Sequence, residues 1–229
     1  MAPSVDELKR RAACRAVDYI QSGMVVGLGS GSTARYATLC LAEKLRRGDL
    51  RDLVAIPTSE DTAQLARQEG IPLTTLEEHP RIDITIDGAD EVDPQLNVIK
   101  GLGGCLLREK IVAYATQREI IVVDASKLVS RLGTKSPLPV EVIPFGWRNT
   151  QAALERTGAQ PRLRLVNGNP FITDEGNYIL DCYYPGIADP QKLTAEIHLI
   201  PGVVEDGLFL GLVQTVVVAS PEQVRVLER

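Results

Sequence analysis

In the first half of the chain, short apolar runs are each followed by a turn and a helical stretch. Leu8, Ala12, Ala16 and Ile20 stand four apart behind the capping-box pattern Ser4-Val5-Asp6-Glu7, predicting an amphipathic helix over about 5–21 that Gly23 ends. Met24-Val25-Val26-Gly27-Leu28 reads as a buried strand, Gly29-Ser30-Gly31-Ser32 as a tight loop, and Thr33 to about Arg47 as a second helix. The pattern repeats with a strand at 53–56, the turn Pro57-Thr58-Ser59 and a helix near 60–69 stopped by Gly70. A third strand, Ile82 to Ile86, runs into Asp87-Gly88-Ala89-Asp90. A helix near 104–117 and the strand Ile120-Ile121-Val122-Val123 follow. Apolar strands alternating with helices predict an α/β fold with a mostly parallel sheet covered on both faces, and such sheets bind ligands beyond their strand ends.

The rhythm changes at Lys135-Ser136-Pro137-Leu138-Pro139. Beyond it the pattern predicts a strand at 139–143, a helix at 147–157 and a strand at 161–165. A hairpin of 171–173 with 178–180 and a helix near 190–200 come next. Val203 to Leu210 and Thr215 to Ala219 read as strands returning to the first sheet, which makes residues 136–205 an inserted α+β lobe. Residues 1–135 plus 206–229 then form the main domain.

Composition narrows the function. With 229 residues, 44% apolar and 24% charged, the chain can bury a sizeable core without staples. A net charge of −5 offers no field for a nucleic-acid backbone or an anionic membrane. No stretch approaches the ~18 apolar residues of a membrane span, and the charged N-terminus does not resemble an export signal. Cys14, Cys40, Cys105 and Cys182 lie far apart without a Cys-x-x-Cys, and His79 and His198 complete no zinc set, so four free thiols in a reducing cytoplasm are expected.

Three segments carry candidate chemistry. Gly27 to Thr33 joins strand to helix, where amide N–H groups and the helix dipole favour an anion, and the hydroxyls of residues 30, 32 and 33 point to phosphate. The loop lacks the Gly-Lys-Ser/Thr of a nucleotide-binding P-loop and the third glycine of a dinucleotide loop. Taken alone it also fits a merely tight turn. Asp87-Gly88-Ala89-Asp90-Glu91 gathers carboxylates at a buried strand end, where repulsion and desolvation suit proton transfer; an inert acidic turn fits the same residues. Lys100-Gly101-Leu102-Gly103-Gly104 sets an ammonium beside glycines whose amides can meet an oxyanion. Glu109, by itself, reads as a solvated charge on a helix surface.

Together with the Pro57-Thr58-Ser59 strand end, Leu107-Arg108-Glu109-Lys110 and Asp124-Ala125-Ser126-Lys127, these segments resemble the A-type ribose-5-phosphate isomerase family in order and spacing. The similarity extends to Pro137 to Val142 and to Ile200-Pro201-Gly202-Val203-Val204. The resemblance implies a Rossmann-like sheet with helices on both faces and an inserted ferredoxin-like α+β lobe. It implies a cytoplasmic, cofactor-free and metal-free isomerase of ribose 5-phosphate and ribulose 5-phosphate, serving the non-oxidative pentose phosphate pathway as a homodimer or homotetramer.

Carried over residue by residue, Glu109 is the base between C1 and C2, and Asp87 handles hydroxyl protons and ring opening. Asp90 and Lys100 orient the substrate, and Lys100 with the amides of Gly101, Leu102 and Gly103 stabilises the enediolate. Lys9, Ser30, Gly31, Ser32, Thr33 and Lys127 grip the phosphate, while Gly88 and Ala89 line the sugar. Leu102 departs from family members that carry glycine there, and Cys105 stands where alanine is usual. A sugar-phosphate sensor of the same fold is the alternative, but the roughly 23 residues before the first strand leave no room for a helix-turn-helix. The full Asp-x-x-Asp, Lys and Glu set argues against a related deaminase or coenzyme A transferase.

Overall fold

The computed structural model describes residues 3–229. In chain order it begins with α1 (Val5–Val17), β1 (Val25–Leu28), α2 (Gly31–Arg47), β2 (Val54–Pro57), α3 (Glu60–Gln68) and β3 (Ile82–Asp87). Short strands β4 (Glu91–Val92) and β5 (Val98–Ile99) precede α4 (Leu106–Tyr114), β6 (Thr116–Asp124) and a 3-10 turn over Ala125–Lys127. Then come β7 (Leu138–Val142), α5 (Trp147–Glu155), β8 (Gln160–Leu163), β9 (Leu165–Val166), β10 (Asn169–Pro170) and β11 (Tyr178–Tyr183). The last elements are α6 (Pro190–His198), β12 (Val203–Asp206), β13 (Leu208–Phe209), β14 (Val213–Ala219) and β15 (Val224–Glu228). Among the described residues no helix is long and apolar enough to cross a membrane.

These elements make two compact units. The first comprises the chain up to Ala89, Arg108–Lys127 and Gly211–Arg229. Its six-stranded sheet has the order β15-β14-β6-β3-β1-β2, parallel throughout except for β15, which runs antiparallel on β14. Ala12, Ala13, Ala16 and Val17 of α1 and Ala37, Leu41 and Ala42 of α2 share one core with Val26, Ile84, Ile120, Val122 and Val217 of the strands. That cover explains why the strands read as continuous apolar runs.

The capping box is real, with the Glu7 N–H donating to the Ser4 hydroxyl at 3.1 Å, but α1 ends at Val17 rather than near residue 21. Asp18, Tyr19 and Ile20 donate their N–H groups three residues back and tighten the chain out of the helix. The expectation of four free thiols is also corrected. Cys14 on α1 and Cys40 on α2 form a disulfide with Cα atoms 5.5 Å apart. Helix packing brings together residues whose spacing in sequence signals nothing. Cys105 and Cys182 remain thiols, and burial pushes the Cys182 thiol up.

The second unit comprises Asp90–Leu107 and Leu128–Leu210. Its four-stranded antiparallel sheet has the order β12-β7-β11-β8, with α5 linking β7 to β8 and α6 linking β11 to β12. This is the ferredoxin-like β-α-β-β-α-β arrangement. Three expectations change here. Residues 203–210 do not return to the first sheet: β12 pairs with β7 and β13 with β5, and Asp206 is pinned where it lies by the Leu208 N–H, which donates to it at 2.7 Å. His198 adds to that anchor, its Nε2 lying 3.0 Å from Glu205 and 3.4 Å from Asp206.

The unit also begins earlier than residue 136. The β4–β5 pair lies on β13, and the buried Glu91 carboxylate accepts the N–H groups of Gly133, Lys135 and Ser136, each at 2.6 Å. Finally, 171–173 is not a strand. The short hairpin is β9 with β10, turned by Asn167-Gly168 with both φ angles positive, a pair suited to that turn.

Glu141, in the centre of β7, is buried with its Oε1 accepting from the Thr173 hydroxyl and the Asn177 amide at 2.9 Å each. Burial pushes this carboxyl above the ordinary glutamate range; the two bonds oppose the rise, and Glu175 and Glu205 add to it. An acid with a raised folded value contributes stability below its unfolded pKa and loses it as pH rises through the folded one. Glu141→Gln, neutral throughout, should therefore gain on the wild type as pH climbs from about 4.3, the unperturbed glutamate value, and match it more closely below. Thermal unfolding across that range reads the difference, since ~1 kcal/mol moves Tm by about 2–4 °C at this size. A deficit that grows with pH would contradict the assignment.

Candidate active site

In the first unit the chain leaves β1 for β2 on one side of the sheet and later lays β3 on the other. The loops after β1 and β3 therefore flank a switch point, where open α/β sheets bind ligands. They also touch each other closely. A Cβ on Gly29 would stand 2.2 Å from Asp87 Oδ1 and 2.5 Å from Asp87 Cα, so only glycine fits. Asp87 is buried, and its Oδ1 accepts the N–H groups of Gly88 at 2.7 Å and Ser30 at 3.1 Å.

Ser30 occupies the N-cap of α2 but makes no side-chain cap bond. Its hydroxyl donates to Ser59 Oγ at 2.7 Å and lies 2.7 Å from Thr58 Oγ1 and 3.2 Å from Thr62 Oγ1. Thr58 and Thr62 in turn donate to the carbonyls of Leu28 and Gly29, both at 3.1 Å. The Ser30 hydroxyl and amide both have protein partners, which hold the loop in place at the start of α2. Gly31 and Ser32 stay exposed and Thr33 half-buried, at a helix start that carries no acidic residue. Such a terminus attracts an anion. Thr58 and Ser59 belong to the Pro57-Thr58-Ser59 strand end that the sequence singles out, and Ser59, as N-cap of α3 accepting the Thr62 N–H at 3.1 Å, carries a legible capping signal, but Thr62 and the gathering of the three hydroxyls on Ser30 are missed by motif reading.

Lys127 ends the 3-10 turn after β6, the strand beside β3, and is half-buried. Lys9 lies 3.6 Å from Asp6 on its own helix. On α4, Glu109 is buried rather than solvated, which removes the surface-charge reading. It sits in the first turn, where the helix dipole favours a carboxylate. Its neighbour Arg108 reaches Glu60 at 2.8 Å, tying α4 to the start of α3 and holding the Glu60 carboxyl below its usual range.

Gly88 and Ala89 close the first unit's share of the predicted residues, and the second unit holds Asp90, Lys100 and the 101–103 loop. The Asp90 N–H donates to the Ile99 carbonyl at 2.8 Å, and Asp90 Oδ2 accepts the Leu102 N–H at 3.0 Å. Lys100 is buried, its Nζ 5.5 Å from the centre of the Phe209 ring and its N–H donating to Gly207 O at 3.0 Å. Gly101 has φ +105°, and a Cβ there would stand 2.8 Å from Leu106. The Gly104 N–H closes the turn onto Gly101 O at 3.0 Å. The Leu102 side chain is exposed and so leaves its own amide free to face Asp90. Glu91, by contrast, is wholly engaged with the 133–136 loop and leaves the run of candidate carboxylates.

The family model for ribose 5-phosphate isomerase A (phosphoriboisomerase A) matches residues 54–223. The ribose-5-phosphate isomerase A of Gloeobacter violaceus is 58% identical over 224 residues, covering 97% of this chain and 96% of its own. That of Roseiflexus castenholzii is 54% identical over 221 residues, covering 96% and 94%. Among solved structures, a D-ribose-5-phosphate isomerase in complex with phospho-erythronic acid aligns with a TM-score of 0.96 at 44% identity, over 99% of this chain and 100% of its own. The ribose 5-phosphate isomerase of Plasmodium falciparum gives 0.95 at 42% identity, over 98% and 99%. With that match and that degree of identity across nearly the whole length, the chain belongs to the ribose 5-phosphate isomerase A family.

Proposed function

We propose that this chain interconverts D-ribose 5-phosphate and D-ribulose 5-phosphate, carrying one proton between C1 and C2 through an enediolate. Family membership and the isomerases it resembles support the substrate pair, and nothing favours a sensor that binds without turnover. One observation carries the chemistry: Glu109, Asp87 and Lys100 are 5%, 1% and 2% exposed. Ionisable groups are held so far from water at a desolvation cost, which proton transfer and oxyanion stabilisation give reason to bear.

In this reading the Glu109 carboxylate takes the C2 proton of the open-chain aldose, and the released electron pair forms the C1–C2 double bond with charge on O1. Asp87 relays the O2 proton to O1 and serves ring opening. Glu109 then returns its proton to C1, and O2 becomes the ketone oxygen. Asp90, held by the Leu102 N–H, orients the sugar, while the Lys100 ammonium and the amides of Gly101 and Gly103 meet the charge as it develops. The backbone of Gly88 and Ala89 lines the sugar. Ser32, Thr33 and the first amides of α2 hold the phosphate with Lys9 and Lys127.

A charged sugar phosphate does not cross a bilayer, so the enzyme shares its substrate's compartment, which we take to be the cytoplasm. We further propose that the enzyme works as a homodimer or homotetramer. The purified protein should turn over ribose 5-phosphate in a coupled assay, with arabinose 5-phosphate as the comparison; a sensor would turn over neither.

Glu109→Gln keeps the shape but cannot accept the proton, so kcat should fall at least ~10²-fold with KM little changed. Asp87→Asn should also lower kcat yet retain exchange of the carbon-bound hydrogen with deuterated solvent, because its work is on oxygen-bound protons. Exchange that survives in Glu109→Gln and vanishes in Asp87→Asn would reverse the two roles. For the phosphate grip, Lys127→Ala should chiefly raise KM, as loss of uniform binding does, and free ribose should be a very poor substrate. Because an ammonium and amides are assigned to the oxyanion, activity should survive excess chelator; loss on chelation that magnesium or manganese reverses would replace Lys100 with a metal in that role.

A further inference from the structure

Arg164 follows β8 and has its side chain 12% exposed, paired with Asp181 of β11, itself 16% exposed. The pair is bidentate: Nε donates to Asp181 Oδ2 at 3.0 Å and Nη2 to Oδ1 at 2.5 Å. The guanidinium also lies 5.8 Å from the centre of the Phe171 ring. An ion pair that served stability alone would be complete at this point. Instead the third nitrogen, Nη1, donates to two consecutive carbonyls of the glycine loop, Gly101 O at 2.9 Å and Leu102 O at 3.0 Å.

We infer that Arg164 is a positioning residue that sets two peptide planes of the glycine loop, placing the Leu102 N–H on Asp90 and aiming the Gly103 N–H at the oxyanion, an inference resting on the reaction proposed above. A trans peptide unit is planar, with its N–H pointing opposite to its C=O. Anchoring the carbonyls of Gly101 and Leu102 on one nitrogen therefore turns the N–H groups of Leu102 and Gly103 away from Arg164. The Leu102 N–H does point away from Arg164 and is taken by Asp90 Oδ2 at 3.0 Å, so Arg164 helps to fix the carboxylate that orients the sugar, while the Gly103 N–H is the one assigned to the oxyanion. A cation on the carbonyl oxygens also polarises each amide and strengthens its N–H as a donor. Asp181 balances the guanidinium charge, leaving Arg164 fixed in place rather than available to a passing anion.

The test compares wild type, Arg164→Met and Arg164→Lys in ribose 5-phosphate kinetics and in binding of two probes. One is phospho-erythronic acid, the ligand of a related isomerase structure, whose planar carboxylate resembles the enediolate. The other is inorganic phosphate. Arg164→Met should lower kcat about 10–100-fold with KM within about threefold, the pattern of a lost transition-state interaction. Affinity for phospho-erythronic acid should fall in parallel while affinity for phosphate holds within about twofold. Arg164→Lys, able to reach one carbonyl but not to keep the fork, should lie between, and it decides the matter if Arg164→Met lacks a native-like thermal transition. Wild-type kcat in the folded variant, or equal weakening of both probes, overturns the role of Arg164. Absence of turnover by the wild type would instead overturn the reaction itself.

Discussion

The end of the sheet that carries Asp87 and the start of α2 depends on how closely β1 and β3 run past one another. A Cβ on Gly27 would stand 1.9 Å from the Thr85 hydroxyl, and one on Gly29 would meet the Asp87 carboxylate. Two missing side chains thus let a strand end slide under its neighbour. That approach puts Asp87 Oδ1 within reach of the Ser30 amide, which sets where α2 begins. With the Ser30 hydroxyl drawn down into the cluster of Thr58, Ser59 and Thr62, the first turn of α2 keeps its amides for a ligand instead of a side-chain cap. One steric constraint therefore fixes both a buried carboxylate and the start of α2, at positions that parallel strands bring together.

Buried charge is treated in two ways in this molecule, and the difference separates support from chemistry. Glu91 accepts three backbone N–H groups and Arg164 is matched by Asp181, arrangements that satisfy a charge fully and hold a loop in place. Glu141, with two side-chain donors, sits where burial outweighs them and favours the neutral acid. Glu91 and Asp87 stand in the same acidic run, yet one locks the 133–136 loop and the other ends a parallel strand beside a glycine. The run of acids in the sequence does not distinguish them; the backbone that surrounds each does.

Legibility from sequence followed the length of each signal. The strands and helices of the first unit are periodic or continuously apolar over several residues, and they form within a few residues of the expected bounds. β4, β5 and β13 have two residues each, too few to carry any period, and it is these that draw 90–107 into the second unit. Val203 to Leu210 is apolar enough to fit either sheet; the buried Asp206 decides, and burial cannot be read from one residue type. The disulfide and the burial of Glu109 both depend on helix packing, which local patterning does not specify. Arg164 carried no signal at all, because a lone arginine in an alternating segment has the look of a solvent-facing position.

That invisibility follows from what the residue acts upon. In the proposed reaction part of the negative charge is met by backbone N–H groups of the glycine loop, and a backbone donor cannot be removed by changing its own side chain. Leu102 illustrates the point: its side chain is exposed while its amide still meets Asp90. What can be altered is the direction in which such a donor points. A glycine-rich turn, with φ +105° at Gly101, has one hydrogen bond of its own against a rotated peptide plane, from the Gly104 N–H to the Gly101 carbonyl, and it does not reach the Leu102 carbonyl. Control over the donors therefore passes to whatever holds the opposite ends of those planes, and in this molecule that is a guanidinium more than sixty residues further along the chain.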